Sequence, residues 1–127
     1  MGYKFEVSDF AVWEPSLNVG RLFLAAVRQF EQQLNMPSGL VEEMSDTIEV
    51  EPKQLLEFVQ ALLQSINSSN ESLVLLLHGP AIHLIALLHS VMPSVQLLNL
   101  PDKWTEEANA LFRHRFRMNG VIRGDQA

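Results

Sequence analysis

Residues 72–92 read SLVLLLHGPAIHLIALLHSVM, an apolar run interrupted by three histidines and a Gly-Pro pair. A bilayer span needs about 20 mostly apolar residues, and the run has that length. It places His78, Gly79, Pro80 and His83 near its centre, however, and no cluster of Lys or Arg flanks it to set an orientation. Soluble domains bury helices that are apolar on all sides. The run therefore predicts a buried helix in the middle of a core and no membrane contact. Pro80 has no amide proton and its ring opposes the Leu76 carbonyl, so the helix is expected to kink there or to stop and restart.

The histidines in this run follow one another at intervals of five and six, whereas two metal ligands on one helical face need three or four. His78 and His89 would share a face but lie far apart along it, so no metal or other cofactor is expected. A second reading makes LVLLL a strand and HGP an anion-binding turn. With a single glycine and no Lys, Ser or Thr after it, that turn is no phosphate loop. His78 could act as a general base, since imidazole titrates near neutrality. No nucleophile or carboxylate motif stands beside it, so a hydrogen-bonded core or boundary histidine is the expected role.

Outward from this run, the chain reads as one domain over residues 1–127, with an end that frays from about residue 119. Tyr3, Phe5 and Val7 alternate with polar residues, and FAVW follows Ser8-Asp9, the pattern of a short hairpin. Val19, Phe23, Ala26, Val27, Phe30 and Leu34 recur at helical spacing and predict a helix over about residues 17–35. Ile48 and Val50 alternate with Glu49 and Glu51 as a strand able to pair with the hairpin. Pro52 opens a helix with Leu55, Phe58, Val59, Leu62, Leu63 and Ile66 on its apolar face. Asn67-Ser68-Ser69-Asn70 forms a turn, VQLLNL is a short strand or an extended connection, and Asp102 caps a last helix to about Met118. The expected fold is α+β, with about four helices packed on a small antiparallel sheet.

Composition narrows the function. No cysteine is present, which excludes disulfides, thiolate zinc sites and a thiol nucleophile, and suits a reducing, cytoplasmic setting. The N-terminus MGYKFEVSDF has no apolar segment of the secretory type. The net charge of −6 is uneven: residues 1–28 are balanced, residues 29–102 hold nine acids against Lys53 alone, and residues 103–127 carry a small basic excess. Duplex binding needs clustered Lys and Arg, so no nucleic-acid partner is expected. Ser16, Ser38 and Ser45 lie in no nucleophile elbow, and Ser16 and Ser38 sit where capping or turn duty explains them. Trp13 and Trp104 flank helix starts and read as core edge.

Trp13-Glu14-Pro15-Ser16, Val19, Arg21-Leu22-Phe23, Pro37-Ser38-Gly39, Ile48-Glu49-Val50 and Phe58-Val59 together resemble a family of small uncharacterised bacterial domains. The likeness spans the first half of the chain and implies a bacterial cytosolic domain, with no catalytic residue to carry over. In general style the chain is similar to immunity proteins, which neutralise a toxin made by the same cell. Such toxins are commonly basic at their substrate site, and an acidic inhibitor surface steers association and stands in for phosphate. Glu42, Glu43, Asp46, Glu49 and Glu51 place five acids within ten residues with no base among them. They are the expected contact for a basic partner, such as a toxin encoded by the neighbouring gene. The competing readings are a solvated edge strand protected by charge, a self-associating module, and an enzyme using His78 or His83.

Overall fold

A computed structural model describes residues 2–44, 46–67 and 70–116. The elements in chain order are β1 (Lys4–Val7), β2 (Phe10–Trp13), α1 (Leu17–Leu34), β3 (Leu40–Glu42), β4 (Thr47–Val50), α2 (Pro52–Asn67), α3 (Glu71–Val91) and α4 (Asp102–Arg115). This is an α+β domain with four helices and a four-stranded sheet of order β2-β1-β4-β3. Ser8 and Asp9 both take positive φ, the geometry that lets a two-residue turn follow the twist of its strands.

The sheet differs from the antiparallel one expected. β4 joins β1 in parallel, while the β1–β2 and β3–β4 pairs are antiparallel. The reason is β3, a strand of three residues with only Leu40 buried, too short to show an alternating pattern. It makes its own hairpin with β4 and takes the sheet edge. Phe5, Val7, Ile48, Val50 and Leu40 are buried beneath the helices. By alternation Lys4, Glu6, Thr47, Glu49 and Val41 face away from them.

α1 begins at Ser16, whose side chain accepts the Val19 amide, and ends at Asn35 in the left-handed conformation. The six apolar positions expected on α2 are its buried residues, and Pro52 is its first. On α1, Val19 departs from the expected stripe and is half exposed, while Leu24 is buried instead. α4 starts after Pro101 with no side-chain cap, so Asp102 is its first helical residue and not the cap. Residues 93–101 form a connection without strand, held where the Gln60 amide both donates to and accepts from the Leu98 backbone. Ser45, Ser68, Ser69, Met118 and the expected fraying past about residue 119 lie outside the described residues.

α3 runs unbroken through Pro80, with Asn70 as its N-cap. By length and composition it is the one helix among the described residues that could cross a bilayer, and half of its most apolar stretch is buried inside the domain. Burial is concentrated in the second half, including Ala81, Leu84, Ile85, Ala86, Leu87 and Leu88, while Leu77 is the one buried residue of the first half. The first half corrects the expectation of a wholly buried helix. Leu75 is 71% exposed and Leu76 78%.

Gly39 has φ +87 and sits where the chain meets the start of α2; a Cβ there would lie 2.8 Å from the Glu51 carbonyl oxygen. Gly39→Ala is expected to lower stability by about 1–3 kcal/mol, from a strained backbone and a clash against main chain. Urea denaturation checks it, and a midpoint equal to wild type contradicts it.

Candidate functional site

The five acids do not share one face. Glu42 lies opposite the buried Ile48 on the edge strand and reaches back to Arg28 of α1 at 3.5 Å. Glu49 projects from the opposite face beside Val41, and its carboxylate accepts the Ser8 amide at 3.4 Å. Glu51 is exposed at the start of α2, where its carbonyl accepts the Leu55 amide. Glu43 and Asp46 remain together at the β3–β4 turn. Their backbones tie the turn down: Glu43 donates to Thr47, and Lys4 donates to the Asp46 carbonyl at 2.8 Å.

Between them the turn carries Met44, at 82% the most exposed of the large apolar side chains described. Nothing in the sequence marks this residue, because a lone methionine in a polar loop belongs to no periodic stripe. Its position beside two acids on a backbone-anchored turn makes it an apolar knob in a negative field.

Beneath β3, three donors converge on one oxygen. Glu31 Oε2 accepts from the Ser38 amide at 2.9 Å, from the Ser38 hydroxyl, and from Arg28 Nη1 at 2.9 Å, while Arg28 Nη2 donates to the Leu40 carbonyl. Burial raises the proton affinity of the Glu31 carboxyl. The Ser38 hydroxyl and amide and the Arg28 guanidinium outweigh it and hold the group below its ordinary 4.5. Ser38 is fully buried, so this knot fastens the end of α1 to the sheet edge and offers no accessible nucleophile.

The three histidines separate. His78 Nε2 meets Glu107 Oε1 of α4 at 2.7 Å, with the Trp104 ring beside it, a boundary position whose partner lies 29 residues away. His83 bonds the Gly79 carbonyl one turn back and lies against Trp13 and Phe23. Among the described residues no three His, Asp or Glu side chains are placed to hold a metal ion. His89 is half buried, and burial pushes its imidazole below the ordinary 6.5.

The unfolded chain therefore takes up the His89 proton more readily than the folded one. The stability this residue contributes is fully present above pH 6.5 and is lost progressively as pH falls below that value through the lower one of the folded state. Melting temperature is expected to drop more between about pH 7.5 and 5.5 in wild type than in His89→Leu. Parallel curves for the two proteins contradict this.

Sequence reasoning also missed a groove. Val19, Leu22 and Phe23 of α1 face Gly79, Pro80 and His83 of α3 around an apolar space of about 280 Å³. Leu22, 73% exposed, forms its rim. A second cleft shares Val19 and His83 with it and adds Trp13, Glu14, Pro15, Ser16, Leu111, His114 and Arg115. In the enzyme reading His83 would work in this cleft, but the Ser16 oxygen there is already held by the Val19 amide.

These features define a small α+β domain with an acidic hairpin at one sheet edge and an apolar groove between two helices. Residues 1–119 match the Family of unknown function (DUF6086), and the chain belongs to that family. Membership of a family without an assigned activity agrees with the expectation at that level. No curated protein and no solved structure matches the chain.

Proposed function

We propose that the protein is a binding module of the immunity type, which neutralises a basic toxin domain in the cytoplasm of the producing cell by direct contact through its β3–β4 hairpin. The observation that carries this reading is Met44, exposed at the turn between Glu43 and Asp46. Binding energy in protein contacts concentrates in a few apolar or aromatic anchors, with charged neighbours setting approach rate and partner choice. A flexible thioether adapts to the pocket it enters. Glu43 and Asp46 supply the steering field, and the hydrogen bonds to Thr47 and Lys4 hold the turn in shape before binding.

The test is the association rate with the protein encoded immediately upstream. Reversing Glu43→Lys and Asp46→Lys together is expected to slow association about tenfold at low salt, with little change in melting temperature. Added salt is expected to slow the wild type in the same direction. A rate indifferent to both changes removes the steering role of this turn.

A further inference from the structure

The chain has no cysteine, so all of its oxidisable sulfur is methionine thioether. Met1 and Met118 lie outside the described residues, and the other three methionines fall into two environments. Met36 and Met92 are partly buried and packed against the hydrophobic core. Met44 is 82% exposed on the β3–β4 turn. Main-chain hydrogen bonds hold that turn, from Glu43 to the Thr47 carbonyl at 2.9 Å, from Thr47 to the Met44 carbonyl at 3.2 Å and from Lys4 to the Asp46 carbonyl at 2.8 Å. None of them uses the thioether. A peroxide must approach the sulfur to react with it, and Met44 alone of these three presents its side chain to solvent without local unfolding. Hydrogen peroxide is uncharged, so the carboxylates of Glu43 and Asp46 do not repel it.

We infer that Met44 is a reversible oxidation site: its sulfoxide releases the partner of the β3–β4 hairpin and leaves the fold intact. The inference rests on the hairpin being a contact element, as proposed above, and adds a chemical control of that contact. The thioether sulfur attacks one oxygen of hydrogen peroxide. The S–O bond forms as the O–O bond breaks, sulfur gives up two electrons, and the departing hydroxide takes the proton of the transferred oxygen and leaves as water. A thiol-dependent methionine sulfoxide reductase reverses the change, two thiols becoming a disulfide while the oxygen leaves as water. The sulfoxide is polar where the thioether was apolar, so it enters an apolar pocket only by losing hydration. The same product on Met36 or Met92 would lie against the core and act on stability instead.

Graded hydrogen peroxide on the full chain tests this, with peptide mass mapping, melting temperature and affinity for the upstream gene product read on the same samples. Met44 is expected to gain its oxygen before Met36 and Met92, with the melting temperature unchanged at that point. Affinity is expected to fall by about tenfold as Met44 is converted, and to return after treatment with the reductase. Met44→Leu keeps an apolar side chain of similar volume without sulfur. It is expected to bind as wild type does and to go on binding after the same peroxide. Oxygen appearing first on Met36 or Met92 overturns the inference, as does a melting temperature that falls along with Met44 conversion. A Met44→Leu protein that loses binding under peroxide also overturns it, because the sensitive group then lies elsewhere. If oxidised wild type keeps its affinity while Met44→Asp loses the partner, the inference fails and the binding reading stands. If Met44→Asp binds as wild type does, the binding reading fails and takes the switch with it.

Discussion

Trp13→Ala is expected to lower the stability of the domain by about 3–5 kcal/mol, the range for removing a large aromatic side chain from a core. Trp13 is 5% exposed and stands where four parts of the chain meet. Its ring lies 4.9 Å from Phe5 of β1, 5.1 Å from Phe23 of α1, 5.7 Å from His83 of α3, and stacks at 4.8 Å on Phe116 just beyond α4. Truncation leaves each of these rings facing a void that the others cannot close, because they approach it from separate elements. A domain of this size is stable by only about 5–15 kcal/mol, so much of the total is at stake. Chemical denaturation checks it: the midpoint is expected to fall sharply, and a loss below about 1 kcal/mol would mean that the aromatic cluster repacks.

The second large effect is on binding. Met44→Asp is expected to weaken the complex with the basic partner proposed above by about 2–4 kcal/mol, since it removes the apolar anchor and places a charge where a desolvated pocket would close. The fold should be indifferent, because Met44 is 82% exposed and packs against nothing that sustains the core. Separation of the two readouts is the point of the measurement. Calorimetric titration showing unchanged affinity contradicts the role of Met44. A large drop in melting temperature would make it a structural residue instead.

Local order was legible in the sequence wherever one periodicity governs one element. All six apolar positions of α2 follow from helical spacing, and Phe5, Val7, Ile48 and Val50 from alternation, because each element buries a single face. Relations between distant segments were not legible. β3 carries too few residues to announce itself, and the parallel pairing of β1 with β4 depends on where the helical crossover returns the chain. The carboxylate that meets His78 comes from α4, beyond any local motif. The apolar run that opens α3 looks the same whether buried or exposed, so only packing distinguishes Leu76 from Leu87. Five acids close in sequence were separated by the pleat, and the methionine between two of them left no pattern at all.

The central claim is that the β3–β4 hairpin is the contact element. The most direct measurement is amide mapping by nuclear magnetic resonance, with isotopically labelled protein titrated with the unlabelled product of the upstream gene. The account predicts that the largest shifts fall on residues 41–49, centred on Met44, and that they vanish in Met44→Asp. Shifts concentrated around His78 and Glu107, or spread evenly over the sheet, would contradict it.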